Sequence, residues 1–122
     1  MQRDHLYAVD ILQACDTIAK YVASTDRDTF LADDLLQGGV AFQFSIIGEA
    51  VRNLPHDLKQ RYPQVAWVNA RDLRNLIAHR YFAISWPIIW DTATLSIPVL
   101  RSQIAAIVAT EFGDADTGSD TP

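Results

Sequence analysis

Residues 71–81 read Arg71-Asp72-Leu73-Arg74-Asn75-Leu76-Ile77-Ala78-His79-Arg80-Tyr81. On a helix of about 100° per residue, Leu73, Leu76, Ile77 and Arg80 fall on one arc, and Arg71, Arg74, Asn75, Ala78 and His79 on the opposite, polar side. Asn75 and His79 are four residues apart and can touch, whereas Arg74 and His79 sit on opposite flanks of that face. One helix therefore keeps the arginine and the histidine apart. Two copies packed about a twofold axis, with Ala78 permitting close approach, would pool two of each.

These residue types suit phosphodiester chemistry. Histidine, with an ordinary pKa of about 6.5, takes or gives a proton near neutral pH, and arginine steadies charge on phosphate oxygens. Metal-independent RNA cleavage asks for little more: a base for the 2′-hydroxyl, an acid for the departing 5′-oxygen and cations on the phosphate. The sequence has no CxxC or HExxH spacing and no carboxylate cluster of the kind a two-metal nuclease uses, so neither a metal nor a cofactor is expected. The same groups could instead grip a nucleotide or a carboxylate without cutting anything. A lone histidine is also commonly a satisfied core residue, although His79 lies well off the apolar arc.

The elements around this segment read as helical throughout. Ile11, Cys15, Ile18 and Val22 recur at helical steps and predict a first helix from Asp4 to about Ala23. A polar turn over 24–28 precedes a second, longer helix that begins near Phe30 and carries Val40, Phe42, Ile46, Ile47, Ala50, Val51 and Leu54. Gly38-Gly39 inside it predicts either a bend or the close approach of another backbone. Pro55 opens a short helix that ends near Tyr62-Pro63, and the motif helix runs from about Ala66 through His79. Ser85 is a candidate N-cap for a last helix that Pro98 should kink or split. No stretch alternates with a period of two, so the expected fold is all-α, an antiparallel up-and-down bundle of four to five helices over residues 1–112, with 113–122 a disordered acidic tail.

At 122 residues the chain is one domain, and its hydrophobic share of 49% is enough for a real core. The net charge of −5 argues against gripping nucleic acid by bulk charge. That charge is uneven: residues 49–81 hold six basic against three acidic residues, and the rest holds four against twelve. Arginine outnumbers lysine eight to two, which favours fork-like contacts to an anion. One cysteine, Cys15, fits a small buried hydrophobe in a reducing cytoplasm. The longest apolar run, residues 84–90, is far short of a bilayer and no membrane partner is expected. His5 and His56 stand at no metal-ligand or catalytic-triad spacing. Trp67, Trp86 and Trp90 are more readily core or interface residues than base-stacking platforms.

Arg74, His79 and Tyr81 form Arg-x4-His-x-Tyr. Together with Ile46-Ile47-Gly48-Glu49-Ala50, Trp67, and the segment from Trp86 to Trp90, this pattern resembles the HepT-like family of HEPN-domain ribonuclease toxins, from residue 4 to about 110. The double glycine at 38 and 39 departs from the family's pattern. The resemblance implies an all-α homodimer acting as a metal-independent endoribonuclease, with its site at the dimer interface and RNA as substrate. It also implies a partner, a minimal nucleotidyltransferase antitoxin that transfers AMP to the motif tyrosine. Carried onto this chain, Arg74 holds the phosphate, His79 does the acid/base work, Asn75 orients them and Tyr81 is the modified residue. Arg71 and Glu49 are supporting candidates, Glu49 as a partner for an arginine near the site or simply as a structural ion pair. The rival reading is a non-catalytic helical partner of such a nucleotidyltransferase, binding its nucleotide or substrate; a third is a helical dimer with only a protein-interaction role.

Overall fold

A computed structural model describes residues 2–78 and 84–113, and every regular element among them is helical. In chain order these are α1 (Gln2–Ala23), α2 (Arg27–Leu31), α3 (Asp34–Asn53), α4 (His56–Arg61), α5 (Trp67–Ala78), α6 (Trp86–Asp91), a π-helical turn (Thr92–Ser96) and α7 (Ile97–Glu111). The expected all-α bundle is what forms. His79, Arg80 and Tyr81 lie outside the described residues, as do residues 114–122 of the tail expected over 113–122.

Much of the chain's excess acid sits at helix starts. Asp26 caps α2 by accepting from the Thr29 amide at 2.8 Å, and that bond holds its carboxyl below the usual range. Asp33 caps α3 by accepting from the Leu35 and Leu36 amides, both at 3.1 Å. Each cap satisfies amide donors that the start of a helix leaves open. The caps also correct one expectation: the helix anticipated from Phe30 onward is two helices, because Asp33 restarts the chain after α2. The buried Gln37 locks that break by donating to the carbonyls of Phe30 (3.0 Å) and Leu31 (3.2 Å), which satisfies acceptors that a helix end leaves open.

The last helix illustrates a second local solution. Ser85 is its N-cap, as its position suggests. Pro98 has no N–H to give, and a continuous α-helix would lose a bond there. Instead the chain widens over Thr92–Ser96, where the Ile97 amide reaches back five residues to the Thr92 carbonyl. The result is an unbroken helical run from Trp86 to Glu111. Phe112 and Gly113, the latter at φ 76°, then stop it. This run is long and apolar enough to cross a membrane by length and composition alone. Its Ile89, Ala93, Ile97, Leu100, Ile104, Ile107 and Val108, however, are core residues of the bundle.

Helix α3 packs on both α1 and α5, and α1 packs on α7. Ile11, Ile18, Phe30, Val40, Phe44, Ile47, Val51, Ile89 and Ile104 are essentially sealed from solvent, and each large apolar side chain so buried contributes on the order of 2 kcal/mol. The tryptophans serve this core. Trp86 and Trp90 pack on Phe30 with ring centroids 6.3 and 5.2 Å away, and the Trp67 indole N–H donates to the Tyr62 carbonyl at 2.9 Å. Cys15 is buried, and burial, helped by Asp16, pushes its thiol up to about 12, so it stays protonated. Across the molecule, Glu111 of α7 accepts from Arg61 (2.7 Å) and from the Tyr62 hydroxyl and so clasps α4.

Candidate functional site

The site is set by a crossing of α3 over α5. At Gly48 a Cβ atom would stand 2.7 Å from the Arg74 Cβ, 2.8 Å from the Arg74 amide nitrogen and 2.9 Å from the Arg71 carbonyl oxygen. Only glycine admits so close an approach of two backbones. The next residue, Glu49, then faces Arg74 with its Oε1 3.4 Å from the guanidinium Nε. Both side chains are about half exposed, at 42% for Arg74 and 51% for Glu49. An exposed pair of this kind adds little stability. The carboxylate faces the guanidinium on its Nε side, and the terminal nitrogens make no hydrogen bond to any described residue.

The remaining candidates divide around α5. Leu73 is buried, while Leu76 and Ile77 are half-buried, as the apolar arc requires. Arg71 is exposed and rests on Asp72 through Nε (3.3 Å) and Nη2 (3.2 Å). Asn75 is also exposed, but on the opposite flank from Glu49. There it lines an open cavity of about 320 Å³ with Asp72, Leu76, Ile84, Ser85, Ile88 and Ile89. The structure therefore brings Glu49 to Arg74 and places Asn75 toward α6. His79 and Tyr81 are outside the described residues.

The double glycine is not where another backbone approaches. Gly38 has nothing within 4 Å of where a Cβ would be, and at Gly39 the nearest atoms are those of the Tyr21 ring, from 3.0 Å. α3 is continuous through both positions. The close approach expected there occurs instead at Gly48, whose signal was its place directly before Glu49, 26 residues upstream of Arg74. A second functional candidate absent from the sequence reading is Lys59. Its ammonium reaches from α4 to the Val51 carbonyl at 2.9 Å, near the end of α3.

A wider groove of about 530 Å³ separates α5 from the π turn and α7, lined in part by Leu73, Leu76, Leu95, Val99 and Leu100. Leu95 and Val99 on this groove, and Ile88 on the cavity beside Asn75, are more than half exposed. Among the described residues no group of three or more His, Cys, Asp or Glu side chains is placed to hold a metal ion.

Comparison with known proteins decides the family. The ribonuclease HepT-like family model matches residues 11–107, most of the chain. The chain belongs to the ribonuclease HepT-like family. A protein of Caldanaerobacter subterraneus subsp. tengcongensis, named "Putative RNase", is 32% identical over 111 residues, covering 91% of this chain and 99% of that one. A Methanocaldococcus jannaschii protein of the same designation is 36% identical over 102 residues, 84% of each chain. The "Probable ribonuclease HepT" of Thermococcus cleftensis is 32% identical over 104 residues, 84% of this chain and 94% of its own. No solved structure matches the chain. Within this HepT-like frame, Arg74 is a half-exposed side chain beside a glycine crossing.

Proposed function

We propose that this chain is a metal-independent endoribonuclease and the toxin of a toxin–antitoxin pair, working as a cytoplasmic homodimer. The observation that carries the reading is the half-exposed Arg74, faced by Glu49 across the Gly48 crossing, in a chain of the ribonuclease HepT-like family. In the reaction, His79 acts as base on the RNA 2′-hydroxyl, whose oxygen attacks the adjacent phosphorus. A 2′,3′-cyclic phosphate forms and the 5′-oxygen leaves with a proton from the histidine pair. Arg74 steadies the charge that builds on the phosphate oxygens, where a preorganised donor is worth most. The open apolar side chains Ile88, Leu95 and Val99 supply surface for a second copy to cover. Tyr81, two residues past His79, is the point at which a nucleotidyltransferase antitoxin attaches AMP, and the added phosphate and base then obstruct the RNA path by charge and volume.

Arg74→Ala and His79→Ala should each lower RNA cleavage in the presence of EDTA by at least about 100-fold, while the dimer stays folded by gel filtration and circular dichroism. Cleavage at the unmodified rate by either variant removes the assignment. For the switch, co-expression with a nucleotidyltransferase should add AMP units to the intact mass, and Tyr81→Phe should abolish the adduct. An adduct that persists in that variant moves the modification elsewhere.

A further inference from the structure

Two contacts made independently gather cations at the C-terminal end of α3. Lys59, from α4, is tied to the carbonyl of Val51. Three residues earlier on α3, Gly48 packs against the backbone of Arg71. The Lys59 ammonium and the Arg71 backbone thus meet α3 about 5 Å apart along its axis. Arg71 and Arg74 are in turn one helical turn apart on α5. The three form a row that leads from α4 to the Arg74 guanidinium.

The row is under-neutralised. Arg71 has Asp72 and Arg74 has Glu49, but both pairs are at the surface with distances of 3.2 and 3.4 Å. Lys59 has only a neutral carbonyl, and among the described residues no carboxylate pairs with it. Burial first, and the charge of Arg71 second, hold its ammonium below the usual lysine range. A cation drawn toward other cations gains when an anion is placed among them. A carbonyl at a helix end accounts for one of its three donors, leaving two for a ligand.

We propose that Lys59 and Arg71 form a phosphate track that holds the backbone of single-stranded RNA on one side of the bond at Arg74. The inference rests on the ribonuclease reading and adds to it that the substrate is a strand several nucleotides long. An acidic protein segment would be drawn to the same charges, but it would not reproduce the phosphate-by-phosphate salt dependence of a nucleic-acid backbone.

The test uses the full-length protein carrying His79→Ala, so that RNA binds without being cut. Affinity for a fluorescent 12-nucleotide oligouridylate and for a uridine dinucleotide is measured over a series of salt concentrations. Adding Lys59→Gln or Arg71→Gln should weaken the 12-mer several-fold at low salt and flatten the slope of log K against log salt by about 0.7 each, the value per phosphate contact on a single strand. Lys59→Arg should restore the slope, and Lys59→Gln should leave dinucleotide binding unchanged. If Lys59 merely caps α3, Lys59→Gln lowers the melting temperature and leaves the slope alone, which overturns the track. Unchanged slopes in a protein whose unmodified form cuts RNA also overturn it while sparing the ribonuclease reading. Flattened slopes in a protein that never cuts RNA uphold the track and remove the catalytic reading. No RNA binding at all overturns the track.

Discussion

Helix α3 meets its surroundings in opposite ways at its two halves. In the first half Leu35 and Phe42 stand largely exposed, and the glycines between them touch little: nothing at Gly38 and one tyrosine ring at Gly39. In the second half Gly48 is pressed against the backbone of α5, and Glu49 beside it engages Arg74. Glycine at 38 costs helix propensity with no contact in return, whereas glycine at 48 makes the site's geometry possible. The residue type is the same; the difference lies entirely in what crosses it.

This contrast can be broken most forcefully at Gly48. Gly48→Ala adds a Cβ that must displace backbone atoms of α5, and overpacking of this kind costs about 1–3 kcal/mol. Thermal or urea unfolding should show that loss, and RNA cleavage should fall further than stability alone explains, because Arg74 moves with α5. An alanine variant as stable and active as the unmodified chain breaks the contrast. At the same end, Glu49→Gln removes the charge that faces Arg74. Stability should change by less than about 0.5 kcal/mol, while kcat on RNA falls several-fold and KM does not rise. A Glu49 that is merely structural would leave kcat untouched.

At the other end, Gly38→Ala should stabilise the fold by up to about 1 kcal/mol through helix propensity, read as a higher urea midpoint with cleavage unchanged. The smallest effect concerns the clasp far from the site. Hydrogen bonds from Arg61 and Tyr62 hold the Glu111 carboxyl below its ordinary range. A lowered folded value means that its contribution is present above the unfolded carboxylate pKa and fades as pH falls through the folded one. Glu111→Gln should flatten the acid limb of the melting-temperature profile, slightly because the groups are near the surface, and leave cleavage unaltered.

Much of the frame could be read from residue order. The step of three and four in Ile11, Cys15, Ile18 and Val22 is a property of one helix, and so is the apolar arc containing Leu73. Ser85 announces its cap because capping is local. The break between α2 and α3 was less visible, since the apolar residues run across it and only Asp33 and the buried reach of Gln37 reveal it. Pro98 announced a disturbance but not its form, because a kink, a split and a wide turn all accommodate a missing N–H. Gly38-Gly39 drew attention for its composition, while the decisive glycine stood alone ten residues on.

The sequence by itself determined the helical character of the chain and its resemblance to HepT-like ribonucleases, and it singled out Arg74, His79, Asn75 and Tyr81 as candidates for the chemistry. These follow from spacing along one chain, where each residue's neighbours are three or four positions away. Tertiary structure alone decided that Glu49 reaches Arg74 while Asn75 faces α6, that Gly48 carries the crossing, and that Lys59 is brought to the same end of α3. Those pairings join residues 8 to 26 positions apart, and such a distance is closed only when separate helices find their packing.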